Sequence, residues 1–227
     1  MATAEETTSI KRGSKGAEVV LLSGAEATEA GVKDAVRGRE HVHLATHGFF
    51  ASEGVESMLD TAYDESQTVR NADGEFETRE DDLVGLLPGL LSGLVFAGAN
   101  HASRTAGDGI LTAEEVSWLD LSACSLVTLS ACETGLGTPQ GGEHLIGLRR
   151  SLNLAGAAST LTSLWKVDDE ATRELMQDFY ERLWIRGESK LDALRGAQLA
   201  QLERNRRMYE APLPSTWGAF VLEGDWR

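Results

Sequence analysis

The stretch that most constrains this 227-residue chain is Leu126-Val-Thr-Leu-Ser-Ala-Cys-Glu-Thr-Gly-Leu-Gly137. Its apolar, partly β-branched run, Leu126 to Leu129, has the length and composition of a buried strand. The run stops at small residues, presents Cys132 and breaks at Gly135 and Gly137, where backbone conformations closed to other residues are open. Open α/β sheets bind their ligands at the carboxyl ends of buried strands, which is where this thiol falls. His41-Val-His-Leu-Ala-Thr-His-Gly48 has the same design: a strand that delivers His47 and turns at Gly48. One strand end carrying a thiol and another carrying an imidazole suggest a Cys/His dyad. A thiol needs a neighbouring base or cation to react as thiolate at neutral pH.

Composition narrows the classes. The net charge of −15 argues against a nucleic-acid surface, which needs clustered Lys and Arg. No run approaches the roughly 20 apolar residues of a membrane span, and the start, Met1-Ala-Thr-Ala-Glu-Glu, lacks the basic and apolar regions of a signal peptide. Two cysteines make no disulfide framework in a chain this long. The expectation is a reduced, cytoplasmic protein with no cofactor.

Taken in order, residues 1–17 read as a flexible lead-in and residues 18–227 as one domain. Val19 to Leu22 reads as a first strand, Ala25 to Val36 as a helix, and His41 to Thr46 as the strand before His47. Between Glu53 and Asp82, eleven acids face only Arg70 and Arg79, so this segment holds nine of the fifteen net negative charges. With Asn71-Ala-Asp-Gly74 as a turn signal, it reads as an exposed loop or hairpin. Its position directly after His47 suggests a loop that gates the site, against the plainer reading of a solvated face. Strands follow at Leu94 to Ala97 and at the central run. Thr112-Ala-Glu-Glu115 has the spacing of a capping box. Leu145, Leu148, Leu152 and Ala155 mark a helix that stops at Gly156, and Ala157 to Leu164 is strand-like. Asp168-Asp-Glu170 opens a helix with a core-facing stripe that includes Phe179, Tyr180 and Trp184. Ser189 caps another helix to about Tyr209, and Trp217 to Leu222 is the last strand. Alternating strands and helices predict an α/β fold, a mostly parallel sheet with helices on both faces.

Rival residues have plainer readings. Leu121-Ser-Ala-Cys124 nearly repeats the segment ending at Cys132, but no glycine turn follows it, so Cys124 reads as a small buried hydrophobe. On one extended strand His41, His43 and His47 would share a face. No acid or cysteine completes them as a metal site, and they read as packed or half-exposed strand residues, with His47 the exception. His101 reads as exposed, and His144 is a lesser candidate for the base. The loop from Gly135 to Gly142 lacks the lysine and the spacing of a phosphate loop.

Four ordered blocks carry a family resemblance: Ala45-Thr-His-Gly48, Leu129-Ser-Ala-Cys-Glu-Thr-Gly135, Leu161-Thr-Ser-Leu-Trp-Lys-Val-Asp-Asp169 and Trp217-Gly-Ala-Phe-Val-Leu222. Together they resemble the CHAT domain (caspase-HetF-associated-with-TPRs), a group of caspase-fold, clan CD cysteine peptidases distantly related to separase. The resemblance implies a caspase-like fold with His47 as catalytic histidine and Cys132 as nucleophile. By acyl-transfer chemistry, the backbone amides of Cys132 and Gly48 are the candidates to hold the oxyanion. Two positions depart from the family pattern, His144 where a glycine is usual and Gly218 where an alanine is. CHAT domains usually follow tetratricopeptide repeats, so the chain reads as an excised domain or a stand-alone form, with a repeat region as regulatory partner. The implied substrate is a protein or peptide. By analogy with separase, Asp168 or Asp169 would read a basic P1 side chain, with Trp165 offering its ring to the cation. The competing reading is that these acids only cap a helix. The rival function is a caspase-fold interaction domain without turnover.

Overall fold

The computed structural model describes residues 2–14, 18–50, 69–70, 76–77, 92–100, 107–130, 132–133 and 143–227. Elements are numbered in chain order. All four residues of β7, Leu126–Leu129, are buried, and this strand is flanked on both sides in the main sheet. The sheet runs β1 (His41–Leu44), β7, β9 (Ser159–Ser163), β10 (Phe220–Gly224). The first three are parallel and β10 is antiparallel to β9. This is a mostly parallel sheet of the expected α/β class.

Strand alternation sends successive side chains to opposite faces, and the two faces bury separate clusters. Val42, Val127 and Leu129 meet Val32 of α2 (Glu29–Ala35), Val116 of α3 (Ala113–Ser117), and Leu148 and Leu152 of α4 (Glu143–Leu154). Leu126 and Leu161 face the other way. They meet Ile10 of α1 (Ala2–Gly13), Leu175, Met176 and Phe179 of α5 (Asp169–Tyr180), and Ala193 and Ala197 of α6 (Lys190–Tyr209). A single π turn, Glu181–Ile185, continues α5 and brings Trp184 against Tyr180, ring centroids 4.3 Å apart.

A second sheet runs β6 (Ile110–Thr112), β5 (Ser92–Val95), β2 (His47–Phe50), β8 (Cys132–Glu133). Within the acidic segment, β3 (Val69–Arg70) and β4 (Phe76–Glu77) pair antiparallel, and the turn expected at Asn71 to Gly74 lies outside the described residues. The rest of that segment, His101 and the loop from Gly135 to Gly142 lie outside the described residues. Among the described residues no helix is long and apolar enough to cross a membrane.

Several local readings need correction. The lead-in expected over residues 1–17 is a helix through Gly13, because Glu6 and Ile10 are buried in the face it shares with α5 and α6. Val19 to Leu22 is not a strand. Leu22 packs onto the first cluster and Val20 stays 48% exposed. The strand expected from His41 to Thr46 ends at Leu44, and His47 begins a different one. The last strand starts at Phe220, after a short helix α7 (Pro214–Trp217) that the sequence reading missed.

Candidate active site

Two strands of the main sheet hand their chains over to the second sheet at the same level. In the β1–β7 ladder each residue lies opposite the one 85 positions later, from His41↔Leu126 to Leu44↔Leu129. Ser130 N then donates to Leu44 O at 3.0 Å. After this two-residue break β2 and β8 resume parallel pairing at the same spacing of 85, His47↔Cys132 and Gly48↔Glu133. Paired strands lie about 4.8 Å apart, so the backbone positions of His47 and Cys132 are direct neighbours. On its other side β2 pairs antiparallel with β5, His47 opposite Val95 and Gly48 opposite Leu94. Thr46 Oγ1 bonds Val95 O and ties the crossover to this sheet. His47 is exposed, while Gly48 stands between Leu94 and Glu133.

The other histidines of the strand have different surroundings. Because β1 ends at Leu44, His41, His43 and His47 do not share one strand face. His41 meets Trp184 edge-on, centroids 5.9 Å apart, and burial lowers its proton affinity, with Lys190 adding to the shift against the opposing Glu40. His43 is held at both ring nitrogens, Nδ1 by the Tyr180 hydroxyl at 3.0 Å and Nε2 by Glu6 Oε1 at 3.1 Å. Cys124 is buried, its Sγ donating to Leu126 O, and burial pushes its thiol up. These are the surroundings of an inert thiol. The side chain of His144, within α4, lies outside the described residues.

The third expected block leaves the sheet at the same edge, because β9 runs parallel to β7. Leu164 N still bonds Ala219 O. Trp165 is 40% exposed and donates through Nε1 to Ser215 O at 3.0 Å. Its ring covers Gly218, where a Cβ would lie 3.8 Å from the indole and 3.0 Å from Pro214 O. A Cβ here would be in ordinary contact with the indole and tight only against Pro214 O. Val167 is buried, whereas Asp168 and Asp169 are exposed. Asp168 is the N-cap of α5, its Oδ1 accepting from Glu170 N at 3.1 Å and Ala171 N at 3.2 Å. Part of that carboxylate is committed to the helix, as the capping reading requires.

Glu6 and Tyr180 were missed as partners of this region. Tyr180 reads from sequence as one member of an apolar stripe, and Glu6 as one more charge in a polar start. No local pattern in the sequence signals either, because their partner, His43, is distant from both in the chain.

A mostly parallel sheet covered on both faces, with a histidine and a cysteine opposed where its strands end, defines a caspase-like α/β domain. The family model for the CHAT domain matches residues 1–225. The chain belongs to the CHAT domain family. Comparison with curated proteins finds none that matches it.

Proposed function

We propose that this chain is a cysteine endopeptidase in which Cys132 is the nucleophile and His47 its acid–base partner. The observation that carries the reading is the opposition of these two residues in the ladder that continues β1–β7. The chemistry fits a paired thiol and imidazole. The sulfur passes its proton to His47 and attacks the scissile carbonyl carbon, moving the π electrons onto oxygen. That oxyanion accepts a hydrogen bond from the backbone amide of Cys132, while Gly48, without a side chain, leaves the approach open. Collapse breaks the C–N bond, and His47 returns the proton to the departing amine. Water, deprotonated by His47, then hydrolyses the thioester and frees the thiol.

The substrate is a protein or peptide segment. A basic P1 residue is favoured by the exposed acids after β9 and by the half-exposed Trp165 indole, which suits a cation. A tetratricopeptide-repeat region is the proposed regulatory partner, and the reduced cytoplasm the proposed compartment.

The test is covalent labelling by peptide acyloxymethyl ketones together with cleavage of a P1-scanned fluorogenic library. Labelling should map to Cys132. Cys132→Ala and His47→Ala should each lower turnover by at least about 1,000-fold. A wild-type protein that is neither labelled nor active across the library would make the chain an interaction domain instead.

A further inference from the structure

On the face of the main sheet covered by α1 and α5, a chain of polar groups, buried except for the half-buried His43, spans β1 and β7 just below the handover. Glu6 of α1 is only 4% exposed, and its Oε1 lies 3.1 Å from His43 Nε2. His43 Nδ1 lies 3.0 Å from the Tyr180 hydroxyl. That hydroxyl donates to Thr128 Oγ1 at 2.8 Å. Tyr180 is 2% and Thr128 0% exposed. Burial holds the phenol well above its ordinary value, so it stays a neutral donor.

The placement is specific. His43 and Thr128 lie opposite each other in the β1–β7 ladder, and each is four residues before a member of the next opposed pair, His47 and Cys132. The chain thus links both strands that deliver the site, and fastens them to α1 and α5. Apolar side chains would fill this space without the desolvation that buried polar groups cost. A buried polar network whose members satisfy one another adds something packing does not, one defined arrangement of its elements.

We propose that Glu6, His43, Tyr180 and Thr128 form a brace that fixes the spacing and register of the strand ends bearing His47 and Cys132. Helix α1 supplies Glu6, so the brace depends on its docking. Its consequence for turnover rests on the reading of His47 and Cys132 as a dyad; its effect on the strands does not. All four are positioning residues. A misplacement of about 1 Å at reacting groups costs on the order of 100-fold in rate, so a loosened brace acts on kcat more than on KM.

The decisive variants are Tyr180→Phe, which removes one hydroxyl and keeps the ring against Trp184, and Glu6→Ala beside the conservative Glu6→Gln. Val116→Ala, in the opposite core cluster, controls for general loosening. Amide hydrogen exchange of β2 and β8 reports the strands, and peptide turnover reports the site. Tyr180→Phe and Glu6→Ala should speed exchange in β2 and β8 about 10-fold beyond Val116→Ala. They should also cut kcat by about 10- to 100-fold with KM within about 2-fold, and Glu6→Gln should stay near wild type. Exchange no faster than in Val116→Ala would overturn the brace. Faster exchange with unchanged kcat would overturn its positioning role. If the wild-type protein itself turns over no peptide, the peptidase reading fails, and the brace stands or falls on the exchange data alone.

Discussion

At the scale of single residues, Asp168 carries two readings that one pair of substitutions separates. Its Oδ1 caps α5 through two backbone amides. Losing an N-cap costs about 1 kcal/mol, so Asp168→Ala should lower the melting temperature, while Asp168→Ser, which can still cap, should restore it. A specificity role needs the charge, which serine lacks. If Asp168 reads a basic P1 side chain, both variants should lose the preference for arginine over leucine, measured as a ratio of kcat/KM. Arginine preference intact in both leaves Asp168 as a cap and makes Asp169 the acid to test. The candidate pair Cys132 and His47 could be picked out of the sequence because a short strand-like run precedes each and a glycine follows within three residues, a local pattern. Glu6 was not, because a buried acid in Ala2–Gly13 differs from an exposed one only through a histidine 37 positions away.

Among the elements, α1 shows why the polar lead-in was misread. Its segment, ATAEETTSIKRG, has one large apolar residue and no stripe, and an isolated helix of its length is marginal in water. Docking makes it a helix: Ile10 is 8% exposed in the cluster shared with Leu175, Met176 and Phe179. Ile10→Ala should therefore cost about 2 kcal/mol, the low end for truncating a buried isoleucine. Urea unfolding should show this as a lower midpoint. An unchanged midpoint would mean that α1 contributes little to the fold. Val19 to Leu22 was misread in the opposite sense. Strand propensity describes a fit to a pleated neighbour and creates no strand by itself. The helices at Asp168 and Ser189 were readable to their first residues because each opens on a capping side chain, and in the first a core-facing stripe agreed.

On the scale of the whole molecule, the sheet order and the shared register were invisible locally, since they join residues 85 positions apart, as in His41↔Leu126. Alternation of strands and helices gave the class of fold but not the second sheet, whose strands are two to four residues long. Acid stability is set at this scale too. Burial beside Trp184 makes His41 harder to protonate in the folded protein than in the unfolded chain. The unfolded chain then binds more protons, so His41 leaves stability intact above about pH 6.5 and erodes it as pH falls through that value. Melting temperatures between pH 8 and pH 5 should fall less steeply for His41→Gln than for wild type, and equal slopes would remove His41 from the account. The constant spacing of the two ladders has a consequence for how this gene can change. Length added in a connection, outside the strands and helices, leaves both ladders in register, and each doubling of a loop costs only about 0.6 kcal/mol. One codon gained or lost within 45–46 or 130–131 puts the strands out of frame, setting His47 opposite a neighbour of Cys132. A scan of single-residue insertions should therefore find these two short tracts far less tolerant than connections outside the strands and helices.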